Sequence, residues 1–179
     1  MKIRVTNEIS LELLCDDHAQ ALFELTDLNR EYLREWLPWL DVTKSVEDTK
    51  QFIAATVVQQ ENNQGPQFAL KYNGVICGVN GFHKIDTFHK NGSIGYWLSK
   101  PYWGMGIVTK STEELLRIGF EDYSLHKIEL HCAEDNKKSR AIAERLGFTY
   151  EATLRDCEWR YEKYVSHAIY SMLSSEFSA

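Results

Sequence analysis

A chain of 179 residues, 44% hydrophobic and 26% charged, has the make-up of one soluble globular domain, residues 1–179, large enough for a core without disulfide or metal staples. Its net charge of −6 argues against a nucleic-acid partner. No apolar run approaches a membrane span, and the start lacks a secretory leader.

Residues 9–14 alternate apolar and polar side chains (Ile9, Leu11 and Leu13 against Ser10 and Glu12), the pattern of a half-buried strand. Asp16 or Asp17 can cap a helix running to about Leu28. Asn29 can cap a short second helix through Trp36, limited by Pro38. Ser45-Val-Glu-Asp48 is a variant capping box that opens a third helix to about Asn62. Residues 67–72 and 75–82 read as strands joined by Asn73-Gly74, a preferred two-residue hairpin turn, the second strand extending towards Asp86. Residues 93–99 form another strand, and Gly95 inside it signals a bulge or a close backbone approach. A helix over 109–122, a strand over 127–133, a helix over 139–146 capped by Gly147, and two closing strands over 149–158 and 164–173 complete the chain. The order βααα-ββ-β-α-β-α-ββ predicts an α/β (α+β) fold with a mixed sheet, about seven strands and four or five helices.

Pro101-Tyr-Trp-Gly-Met-Gly-Ile-Val-Thr-Lys110 is a glycine-spaced turn between a strand and a helix. Glycines there clear side chains from the approach to the main chain, and the first helical amides have no intrahelical acceptors. The spacing is not a dinucleotide fingerprint, because Thr109 stands where a third glycine belongs, nor is it a P-loop. Lys110 and Lys137-Lys138-Ser-Arg140 bring positive charge to two helix starts, or form a solvated basic face. The four cysteines (Cys15, Cys77, Cys132, Cys157) include no C-x-x-C pair and the six histidines no metal spacing, which fits free thiols in a reducing cytoplasm and no metal site. No cysteine has a visible base partner, which argues against an acyl-cysteine route.

The element order, the turn Trp103-Gly-Met-Gly-Ile-Val, Asn136-Lys-Lys-Ser139 and Arg145-Leu-Gly-Phe148 together resemble the GNAT superfamily of acetyl-CoA-dependent N-acetyltransferases. Glu35-Trp-Leu-Pro-Trp39 and Tyr96-Trp-Leu narrow the resemblance to enzymes that acetylate the N-terminal alanine or serine of ribosomal proteins. It covers essentially the whole chain. The glycine turn departs from the superfamily's Q/R-x-x-G-x-G/A form: Trp103 holds the first position, Gly106 matches, and Val108 holds the last. Such departures are usual in the ribosomal subgroup, and backbone amides carry most of the pyrophosphate contact.

The resemblance implies that Gly104, Met105, Gly106, Ile107, Val108 and Thr109 bind the acetyl-CoA pyrophosphate and that Asn136, otherwise a helix cap, contacts the pantetheine arm. It implies that Ser139, otherwise an exposed serine of a first turn, donates to the departing thiolate. Glu158, otherwise a solvent-facing carboxylate at a strand end, would take the proton of the amine, directly or through water. Asp156 is a backup that strand alternation sets on the same face, with Cys157 opposite. A break in the strand near Leu98 would free amides to polarise the thioester oxygen. Trp36 and Trp39 are core anchors or a wall of the acceptor site. The implied reaction is direct attack of a primary amine on the thioester in a ternary complex, the acceptor being a protein N-terminus. A small amine (polyamine, antibiotic or metabolite) and a non-catalytic CoA-binding module are the alternatives. The resemblance also implies a homodimer.

Overall fold

In the computed structural model, which describes residues 1–178, the chain forms eight strands: β1 (Lys2–Arg4), β2 (Ile9–Leu13), β3 (Gln67–Tyr72), β4 (Val75–Asp86), β5 (Asn91–Leu98), β6 (Lys127–Ala133), β7 (Thr149–Arg160) and β8 (Lys163–Leu173). Five helices accompany them: α1 (Ala19–Leu28), α2 (Arg30–Arg34), α3 (Val46–Glu61), α4 (Ile107–Arg117) and α5 (Lys137–Arg145). The strands make one sheet in the order β1-β2-β3-β4-β5-β6-β8-β7, so the fold is the expected mixed α/β arrangement. The strand beyond the expected seven is β1. Its three residues pair with β2 (Ile3 opposite Leu11), too short a run for alternation to reveal.

All neighbouring strands are antiparallel except β5 and β6, which are parallel and joined through α4, as a crossover requires. Alternation sorts the side chains onto two faces. Phe82, Ile94, Ile128, Leu130 and Tyr170 join Leu115 and Leu116 of α4 and Ala143 of α5 in the larger core. Val79 and Ala69 turn the other way, to Ala19 and Leu22 of α1 and Ile53 of α3. The sheet is thus covered on both faces, which leaves its parallel seam as the place where function is built.

Several local expectations are refined. Ser45 and Asp48 do form the reciprocal capping box of α3. Asn73 and Gly74 have φ of 48° and 81°, as a two-residue hairpin turn demands. Asn29 holds the N-cap position of α2, as expected, but its side chain makes no capping bond; its amide oxygen accepts from Ser99 Oγ (3.2 Å) and the Lys100 amide (3.1 Å), tying the α1–α2 junction to the end of β5. Helix α4 starts at Ile107, two residues early, because Gly106 with φ of 72° serves as its N-cap.

Glu12 on β2 is ion-paired with Lys71 and, at 3.0 Å, with Lys2, and lies 3.3 Å from His18 Nε2. The hydrogen bonds from Lys71 and then Lys2 lower its pKa to about 2. A carboxylate depressed in the fold contributes stability above its unfolded value near 4.3, and that contribution fades as pH falls towards 2. Denaturant titrations of Glu12→Gln should therefore show a flatter loss of stability from pH 5 to pH 2 than wild type, with about 1–2 kcal/mol missing at pH 7.

Candidate active site

The glycine turn is built as a cradle. Gly104 and Gly106 have φ of 77° and 72°, the left-handed region that side chains disfavour. The side chains of Ile107 and Val108 go into the core, so these residues offer only their backbone outward. No side chain caps α4 and no acidic residue stands in its first turn. Among the described residues the amides of 104–109 donate to no protein acceptor, so the turn presents free N–H groups at the positive end of a helix, the arrangement that binds phosphate. Cations surround it: Lys138 Nζ is 3.5 Å above the Trp103 ring and Lys100 Nζ 5.9 Å, and Arg145 donates to Thr109 Oγ1 at 3.1 Å. This chain's residues therefore fit a pyrophosphate.

Beside the turn the parallel strands part. β5 and β6 pair only from Asn91–Lys127 to Ile94–Leu130; beyond that β6 bonds β8 alone, through Ala133. The expected break near Leu98 is thus not an interruption, since β5 runs unbroken to Leu98, but a divergence that starts after Ile94. The Ser99 amide donates to Cys77 O at 2.8 Å, and ladder alternation then turns the amides of Leu98 and Tyr96 into the gap. Leu98 O accepts from Tyr32 OH (2.5 Å) and Trp103 Nε1 (3.2 Å); burial pushes the Tyr32 phenol up to about 12, so it stays a donor.

On the α4–α5 face of the gap stand Asn136, Ser139, Tyr96 and Cys132. Asn136 accepts the Ser139 amide at 3.1 Å, the helix-cap role. Ser139 Oγ lies 2.9 Å from Tyr96 OH. Burial raises the thiol pKa of Cys132, with Ser139 close beside it.

On the other face a cavity of about 310 Å³ lies against α1 and α3, lined by Thr26, Trp39, Phe52, Gln67, His83 and Trp97 among others. Of the two tryptophans assigned to an acceptor site, Trp39 lines it and Trp36 does not. His83, which sequence reasoning passed over, lies against β5 where the strands part. A Cβ on Gly95 would stand 1.8 Å from His83 Nε2. Gly95 thus signalled a close approach, and its partner is an imidazole with an exposed edge, held below the usual range by desolvation against the sheet and then by His131.

Glu158 pairs with Val165, two residues beyond His167, which faces Ala133 at the end of β6. By alternation His167 shares the cavity face of the sheet with His83 and His131, and Glu158 Oε2 is 3.5 Å from its Nε2. Arg160, almost fully buried, grips that same oxygen through Nε (2.8 Å) and Nη2 (2.7 Å) and reaches Glu35 O through Nη1 (2.7 Å). Oε1 has no partner among the described residues. Tyr161 OH donates to Leu37 O at 2.6 Å under Arg34, which docks the β7–β8 turn on the 35–37 segment. The alternation expected to place Asp156 beside Glu158 is broken: Asp156 has φ of 48° and the register shifts between Leu154 and Glu158. Its amide goes to Ser166 Oγ, and its side chain is exposed.

A description of the acetyltransferase (GNAT) domain matches residues 8–149. The chain belongs to the GNAT acetyltransferase family. This GNAT protein is 30% identical over 175 residues to YdaF of Bacillus subtilis, which carries a ribosomal N-acetyltransferase name, covering 97% of this chain and 96% of YdaF. It is 26% identical over 171 residues to the ribosomal-protein-serine acetyltransferase of Escherichia coli, covering 96% of each. Its backbone superposes with a TM-score of 0.90 on the microcin C7 self-immunity acetyltransferase MccE in complex with acetyl-CoA and AMP, at 31% identity, covering 96% of this chain and 95% of that one. The GNAT fold, the free amides of the turn and these relatives make the protein an acetyl-CoA-dependent N-acetyltransferase. Among the described residues no three His, Cys, Asp or Glu side chains are placed to share a metal ion, and no helix is long and apolar enough to cross a membrane.

Proposed function

We propose that the acceptor is the N-terminal α-amine of a protein, a ribosomal protein by analogy with the names of its relatives. The observation that carries this reading is the arrangement around the parted strands: pyrophosphate cradle and Ser139 on one face, acceptor cavity and a carboxylate with a free oxygen on the other. Amides 104–109 hold the pyrophosphate, Asn136 supports the pantetheine arm, and the Leu98 amide polarises the thioester oxygen. Glu158 takes the proton of the amine at Oε1 while Arg160 fixes Oε2. Ser139 donates to the sulfur as it leaves.

An α-amine, with a reference pKa of about 7.7–8.0 against about 10.4 for lysine, needs only a modest base. The described residues that line the cavity include no carboxylate, so beyond the one free oxygen of Glu158 a polyamine's further ammonium groups would find no counter-charge in it. The aromatic walls Trp39, Phe52 and Trp97 support a second reading, a small aromatic or nucleotide-bearing amine. Incubation with acetyl-CoA and a panel of Ser- and Ala-terminated peptides, polyamines, aminoglycosides and aminoacyl nucleotides separates these readings. A gain of one acetyl group on a peptide α-amine, read by mass spectrometry with thiol release, is the expected result. Acetylation of small amines only would move the substrate, and acetyl-CoA binding without turnover on any acceptor would overturn the catalytic assignments.

A further inference from the structure

Ser139 has two polar neighbours on the sheet, the Cys132 thiol of β6 close beside it and, within hydrogen-bond distance of its Oγ, the Tyr96 hydroxyl, which reaches it from the far side of the gap. Tyr96 leaves β5 two residues past the last pair with β6, its side chain packs with the core on the α4–α5 face, and its hydroxyl ends 2.9 Å from Ser139 Oγ and 3.3 Å from Ser139 O. One phenolic hydrogen serves two oxygens. If Tyr96 donates to the carbonyl, the serine hydrogen satisfies the phenol oxygen and is turned away from the gap. If Tyr96 donates to Oγ, which is the closer atom, the serine hydrogen is free. The Ser139 amide is already fixed by Asn136, so this hydrogen is the remaining degree of freedom.

We propose that Tyr96 is a positioning residue for the acyl transfer: its O–H donates to Ser139 Oγ and aims the serine hydrogen at the departing sulfur. As the C–N bond forms and the C–S bond breaks, the electron pair goes to sulfur and is met by the Ser139 hydrogen. Glu158 takes the amine's proton, and exchange with solvent restores both side chains, so that proton ends, in net terms, on the thiol. Tyr96 keeps its own hydrogen throughout; burial raises its pKa well above the ordinary tyrosine range, which suits a donor that never ionises. The idea rests on the role given to Ser139 above and adds the residue that makes the serine directional.

The test is a double-mutant cycle of Tyr96→Phe and Ser139→Ala, with kcat, the KM for acetyl-CoA and the thermal midpoint measured for each variant. Tyr96→Phe keeps the ring and removes one oxygen. It is expected to lower kcat about tenfold or more while KM and midpoint stay near wild type. Placed on Ser139→Ala it should add no further loss, because the atom it orients is gone. Losses that multiply in the double variant, or an effect confined to KM and midpoint, would overturn the proposal as a packing role. A loss in Ser139→Ala with none in Tyr96→Phe overturns it alone. Full activity in Ser139→Ala overturns the serine's role and this proposal together.

Discussion

Replacing Glu158 by glutamine should lower kcat by about 10²- to 10³-fold, within the range of general acid–base effects, and leave acetyl-CoA affinity nearly unchanged. Glutamine keeps the shape, and its amide oxygen can take the place of Oε2 in front of Arg160. What it removes is the proton-accepting lone pair of Oε1, the oxygen left without a protein partner. The pyrophosphate cradle belongs to α4 and the 103–106 turn and is untouched, so calorimetry with acetyl-CoA serves as the internal control. The Arg160 side chain is only 4% exposed, and its charge would lose its counter-ion, so a cost of about 1–3 kcal/mol in stability accompanies the change. Rates are therefore to be compared well below the variant's thermal midpoint. The residual rate should rise with pH through about 7.7–8.0, because an unassisted reaction tracks the fraction of acceptor α-amine that is already neutral. Wild-type turnover in this variant would remove Glu158 as the base and leave His83, the imidazole of the acceptor cavity, as the group to test next.

Gly106→Val is expected to weaken acetyl-CoA binding by about 10- to 100-fold, equivalent to roughly 1.4–2.7 kcal/mol. A Cβ at Gly106 meets no atom within 4 Å, so the free protein has room for the side chain. The penalty is conformational: φ of 72° costs a non-glycine residue about 1–2 kcal/mol and more for a β-branched one. The turn relieves it by rotating to negative φ, which swings the amides of 106 and 107 away from a shared focus. Unfolding should be little affected, since Ile107 and Val108 still anchor α4 in the core, and the alanine variant should fall between valine and wild type. Unchanged affinity by calorimetry would show that the pyrophosphate is held elsewhere.

The chain by itself determined seven of the eight strands, the helices between them, their order and the glycine turn before α4. Those features are local: period-two and helical patterns, a capping box at Ser45, an Asn-Gly hairpin, and glycines at a strand-to-helix junction, each written within a few consecutive residues. It also placed Ser139 beside its cap, Asn136, because three residues of one helix start fix that contact. Local signals failed where geometry comes from distant strands. Alternation put Asp156 on the face of Glu158, but a register shift against β8 undid it. Asn29 stands at the start of α2 as expected, but its side chain holds the end of β5 and not the helix. Gly95 announced that something approaches, yet only the pairing of β4 with β5 shows that it is His83. The same is true of Arg160 gripping Glu158, of Tyr96 reaching Ser139 from 43 positions away, and of the seam that opens after Ile94. Each of these depends on which strands lie side by side and in what register, a property of the closed sheet that no short stretch of sequence carries.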